Sequence, residues 1–153
     1  MAVRPIRKYG DPALRETSQL IEATTPEIRS LAEDMIDTMI DAQGIGLAAP
    51  QVGETIRLFV IDLSVMEPES IIDRIGSIKE GEPSQIALIN PRVIKQEGEQ
   101  VGEEGCLSFP DLYDKVTRPN MIRVEAQDLD SNPIEIEGSG ILARALIHEV
   151  DHL

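Results

Sequence analysis

Gly140-Ile141-Leu142-Ala143-Arg144-Ala145-Leu146-Ile147-His148-Glu149-Val150-Asp151-His152-Leu153 is the stretch on which the fold turns. Ile141, Leu142, Ala145, Leu146, Ile147, Val150 and Leu153 fall on most sides of a helix, so that helix is expected to be buried. A buried helix needs neighbours on several sides, and the segments upstream read mainly as strands. The expected fold class is α+β: mixed or antiparallel β-strands packed around a buried C-terminal helix.

The same helix carries chemistry. His148 and His152 stand four apart, so both imidazoles lie on one face and can reach one ion. Glu149 is turned by about a quarter of a turn from His148. That places it beside a metal-bound water rather than in the obvious third-ligand position. These are the mechanics of an HExxH helix, two histidine ligands and a glutamate general base. The bland alternative, an amphipathic helix with chance histidines, is weighed against the rest of the chain.

The 153 residues carry 28 acidic against 14 basic side chains, a net charge of −14. Such a surface repels phosphate backbones, so direct DNA binding is not expected. The length accommodates one ordinary domain. Cys106 is the single cysteine; an internal disulfide is excluded and a reducing compartment follows. Met1-Ala2-Val3-Arg4-Pro5 lacks the apolar core of a signal peptide, and no apolar run approaches membrane-spanning length.

Upstream, residues 3–9 read as a short strand or extended arm, and Gly10-Asp11-Pro12 as the start of a helical turn. Thr25-Pro26-Glu27 heads a longer helix. Its Ile28, Leu31, Ala32, Met35, Ile36, Met39 and Ile40 keep helical spacing, with the methionines as core filler and Gly44 as the stop. Gly44-Ile45-Gly46-Leu47-Ala48-Ala49-Pro50-Gln51-Val52-Gly53 follows directly. Its glycines fit a dinucleotide fingerprint by letter only, because a helix precedes it and Pro50 interrupts it. It reads instead as an extended segment whose missing side chains admit another backbone or a ligand, with Gln51 offering an amide donor. Residues 57–62, 86–89 and 92–96 read as strands, and 63–85 as a long surface loop with one helical turn around Ile71–Ile75. Met121–Gln127 and Pro133–Glu137 read as a hairpin across an Asp128–Asn132 turn.

Both histidines of the chain are used by the HExxH helix. A third ligand downstream has no place, because the sequence ends one residue after His152. Cys106 is the strongest remaining donor, and a Cys-His-His set leaves a fourth position for water. Glu103 and Glu104 stand as fallback ligands.

Three stretches together resemble the motifs of peptide deformylases, in the same order: Gly44–Gln51, Glu104-Gly105-Cys106-Leu107-Ser108, and His148–His152. The opening Tyr9–Arg15 is similar as well. The resemblance implies one catalytic domain over residues 1–153; the family continues past this motif, so either the C-terminus is cut short here or the tail is absent. It implies an α+β hydrolase that removes the N-formyl group from the initiator formyl-methionine of nascent polypeptides. It implies Cys106, His148 and His152 as metal ligands, Glu149 as proton shuttle, and the Gln51 amide and Leu107 N–H as oxyanion donors. Ile45, Ile141 and Ala145 would form the methionine pocket, with Gly46, Glu104 and Gly105 along the substrate. The implied cofactor is one divalent ion, Fe2+, with Zn2+, Ni2+ or Co2+ able to occupy the site. The implied partners are N-formyl-methionyl nascent peptides and, transiently, the ribosome, with no membrane; the implied location is the bacterial-type cytoplasm or an organelle. Two positions depart from the family. Ile147 stands where a glutamine is usual, at little expected catalytic cost. Tyr113 stands where many relatives have arginine, so substrate-backbone contacts there are expected to differ. A general metallopeptidase and a non-enzymatic metal-binding relative are the rival classes; intact Glu149 and Gln51 argue against the second.

Overall fold

The computed structural model describes residues 2–7, 17–66, 68–75, 85–106 and 109–153; the side chains of 68, 74–75 and 101–117 lie outside that description. Helix α1 (Pro26–Asp41) begins where the sequence signals it. Thr25 Oγ1 accepts the Ile28 N–H at 3.2 Å and Pro26 occupies the first turn. Its end differs from expectation. Gln43, not Gly44, takes the left-handed conformation, at φ 57°. The Gly44 and Gln43 N–H groups then reach back to Met39 O and Ile40 O at 2.9 and 3.0 Å, a closing motif that tolerates a left-handed glutamine.

Six strands form one sheet among the described residues, in the order β1 (Gly46–Ala48), β2 (Leu58–Asp62), β4 (Gln85–Glu97), β7 (Met121–Gln127), β8 (Pro133–Ser139) and β3 (Ile71–Ile75). Every neighbouring pair is antiparallel. Strands β5 (Gln100–Cys106) and β6 (Phe109–Arg118) form a separate hairpin. Helix α2 (Gly140–Asp151) packs on one face of the large sheet and α1 on the other. The buried C-terminal helix of an α+β fold is thus observed.

The two layers explain the two hydrophobic patterns. In β2 every residue is buried. Leu58 and Val60 join Leu31, Met35 and Met39 of α1, whereas Phe59 and Ile61 join Leu142, Ala145 and Leu146 of α2. A strand covered on both faces reads as a continuous apolar run; one covered on a single face alternates. In β7 only Ile122, Val124 and Ala126 are buried, toward α2.

Two expectations are corrected. Ile71–Ile75 is not a helical turn but strand β3, an edge paired with β8; its β-branched isoleucines suit a pleated surface. Residues 86–89 and 92–96 are not separate strands but one strand, β4, bulged where the register shifts between Ile89 and Arg92. Asn90 at φ 51° makes the bulge, and its side chain both receives Ile21 N–H and donates to Ile21 O at 2.8 Å. Pro91 is tolerated there because a bulge frees its missing N–H from the ladder. Of the two alternatives for residues 3–9, a short strand or an extended arm, the described residues 2–7 take the extended arm. Gly10-Asp11-Pro12 lies outside the described residues. No helix among the described residues is long and apolar enough to cross a membrane.

Candidate active site

Helix α2 places His148 and His152 as the i, i+4 spacing requires. Their Nε2 atoms face each other at 3.2 Å, with the rings edge to face and their centroids 4.8 Å apart. Two neutral imidazoles in that arrangement can share one proton at most. A divalent cation accepts both lone pairs, and ligand bonds of about 2.0–2.1 Å at a tetrahedral angle put two nitrogens about 3.3 Å apart. The donor set therefore fits a metal ion. One ligand atom each from His148, Glu149 and His152 lies within 4.8 Å of the others.

Glu149 is 3 % exposed and its Oε2 has no hydrogen-bond partner among the described residues. Burial pushes its carboxyl up to about 8, because a charged group loses water without gaining a partner. An unpartnered buried carboxyl oxygen is costly and marks a group held for another purpose. Burial, then the neighbouring His148, pulls His152 down to about 4, against the pull of Asp151. His152 is thereby kept neutral, the form that binds a metal. Asp151, inside the motif, is ion-paired with Arg118 of β6. No local signal marks Arg118 in the sequence, since the pair spans 33 positions.

Strand β1 runs beside α2, and Gly46 presents its bare Cα to the Glu149 carboxyl. The expected close approach at this glycine is thus to a side chain of the HExxH helix. Beyond β1, a 3₁₀ turn over Ala49–Val52 carries Gln51, which is buried; its Oε1 accepts the Ala48 N–H at 2.9 Å. The amide nitrogen is the donor end of that side chain. Of the expected methionine-pocket residues, Ile45 and Ile141 are exposed, while Ala145 is buried in the core beneath α2. Ile147 is half-buried and packs against the same core. Of Glu104, Gly105 and Cys106 only the backbone is described, at the C-terminal end of strand β5. Their side chains, with those of Glu103 and Tyr113, and the whole of Leu107, lie outside the described residues.

Known proteins resemble this chain in sequence and fold over nearly its full length. The family profile described as Polypeptide deformylase matches residues 3–153. A peptide deformylase of Lachnoclostridium phytofermentans is 51% identical over 153 residues, covering 100% of this chain and 85% of its own. The crystal structure of a peptide deformylase from Legionella pneumophila is 42% identical with a TM-score of 0.84, covering 99% of this chain and 80% of that one. One from Ehrlichia chaffeensis, in complex with actinonin, is 35% identical with a TM-score of 0.84, covering 100% and 84%. Identity of that extent, carried on a fold that superimposes this closely, makes the chain a member of the polypeptide deformylase family.

Proposed function

We propose that Cys106, His148 and His152 hold one divalent ion in this chain, and that Glu149, Gln51 and Leu107 carry the chemistry around it. The reaction is hydrolysis of the N-formyl group from the N-terminal formyl-methionine of nascent polypeptides, the reaction of the family. The observation that carries the site reading is the convergence of the two imidazole nitrogens beside a buried carboxyl whose Oε2 has no partner among the described residues.

A bound divalent ion supplies Lewis acidity toward the formyl oxygen and toward water. The side chains supply the rest. Glu149 takes the proton of the attacking water on its carboxylate and delivers it to the leaving amine nitrogen. A carboxyl raised to about 8 holds that proton readily, and a cation at the histidines draws the value back toward neutrality. The Gln51 amide and the Leu107 N–H donate to the oxyanion as it develops. Ile45, Ile141 and Ala145 receive the methionine side chain, and Gly46, Glu104 and Gly105 border the peptide.

Soft thiolate beside two imidazoles suits Fe2+, with Zn2+, Ni2+ and Co2+ as competent replacements. Residues 1–153 act as one catalytic domain, in a bacterial-type cytoplasm or an organelle, with transient access to the ribosome where nascent chains emerge. The test is anaerobic release of formate from formyl-Met-Ala-Ser, with metal analysis and an X-ray absorption edge on the same sample. One ion per chain with a sulfur in its shell is expected. Turnover with only nitrogen and oxygen ligands would remove Cys106 from the set; cleavage of internal peptide bonds without formate would replace the reaction.

A further inference from the structure

Residues 2–7 cross α1 and end on the turn that carries Gln51. The Ala2 N–H donates to Asp34 Oδ1 at 2.7 Å and Arg4 Nε to Asp34 Oδ2 at 2.9 Å. The Arg4 N–H donates to Thr38 Oγ1 at 2.8 Å. Asp34 and Thr38 are buried on α1. Burial alone would raise the Asp34 carboxyl; Ala2 and Arg4 outweigh it and hold the group below its ordinary value. Three residues on, the Arg7 N–H donates to the main-chain carbonyl of Gln51 at 2.6 Å. The Arg7 guanidinium lies over Gly53, where a Cβ would stand 2.8 Å from it. On its other side Gln51 is held by Ala48.

We propose that the arm is a strap that positions Gln51, with Asp34 and Thr38 as its anchors and Arg7 as its grip. The proposal rests on Gln51 being an oxyanion donor. A four-residue 3₁₀ turn has poorer hydrogen-bond geometry than an α-helix, whereas a catalytic donor needs order to within about 0.5 Å. The arm borrows that order from α1, which Leu31, Met35 and Met39 fix in the core.

The test is a set of paired kinetic measurements on a formyl-Met peptide. Asp34→Asn with Thr38→Val releases the anchors; Arg4→Met is a milder release that leaves the buried face of α1 intact. Each is made in the unchanged chain and in Gln51→Leu. The strap predicts kcat lower by about 10-fold in the unchanged chain, with KM little altered. It predicts no further loss on top of Gln51→Leu, because coupled residues are not additive. Amide exchange at Ala48 and Gly53 should quicken in the same variants. Equal losses in both backgrounds, or no loss in the unchanged chain, overturn the strap. If Gln51→Leu alone leaves kcat unchanged, the donor reading fails and the strap with it. If the doubly substituted chain does not fold, Arg4→Met decides by the same comparison.

Discussion

Gly46 and Glu149 touch: a Cβ on Gly46 would stand 2.8 Å from Glu149 Oε2 and 3.0 Å from its Cδ and Cγ. Strand β1 thus forms one wall of the space that the carboxyl occupies. Glu149, on α2, faces β1 and is only 3 % exposed, which leaves it little room to swing. Gly46→Ala should displace the carboxylate while the sheet and both histidines stay in place. Turnover is expected to drop by about 10²-fold, the scale of a mispositioned general base, with metal content unchanged. Steady-state kinetics with metal analysis would reveal it; near-normal kcat would mean that the carboxyl moves freely past β1.

Glu149→Gln tests the proton itself. The amide keeps the volume and cannot accept a proton, so the metal should stay and formate release should fall by at least about 10²-fold. Turnover within a few-fold of the unchanged enzyme would dismiss Glu149 as the shuttle.

The buried carboxyl also predicts a pH dependence for the metal-free protein. Glu149 is raised from 4.5 to about 8, so the fold favours its protonated form. The stability it contributes is fully present below 4.5 and is lost as pH rises through about 8. His152 runs the other way. Lowered from 6.5 to about 4, it contributes above 6.5 and loses that contribution as pH falls toward 4. Metal-free melting temperatures should therefore decline at both ends of the range. Glu149→Gln should flatten the alkaline decline alone, and melting curves that leave both limbs unchanged would contradict the burial.

Gln51→Leu distinguishes a donor from a packing residue. The leucine keeps roughly the volume and removes the amide. Loss of one oxyanion donor lowers kcat by about 10²–10³-fold, more than it raises KM. The Ala48 N–H also loses its acceptor, so the melting temperature should fall as well. A lower melting temperature with unchanged kcat would assign Gln51 to the core only.

Several features were legible in the letters because they depend on near neighbours. Thr25-Pro26 starts α1 by a contact three residues long. The β7–β8 hairpin follows from Asp128, whose Oδ1 accepts both the Asp130 and Asn132 N–H groups, at 2.8 and 2.9 Å. Strand β3 was hidden because its partner lies beyond residue 130, and sheet pairing, unlike helical periodicity, is set by a distant strand. Strand β4 looked broken at Asn90-Pro91 because the local signal of a turn and that of a bulge are the same. Only the Ile21 backbone, held by the Asn90 side chain, distinguishes them.

At the site the division is sharper. The spacing of His148 and His152 determined by itself that two imidazoles would converge, since any α-helix brings i and i+4 together. The family motifs determined the reaction. Only the tertiary structure decided the state of those groups: the carboxyl of Glu149 raised, the imidazole of His152 lowered, Gly46 pressed on Oε2, and Gln51 gripped from the arm. Each depends on burial in the assembled fold or on contact with a strand or arm remote in sequence. Burial and dielectric are properties of the assembled fold, and no stretch of sequence carries them alone.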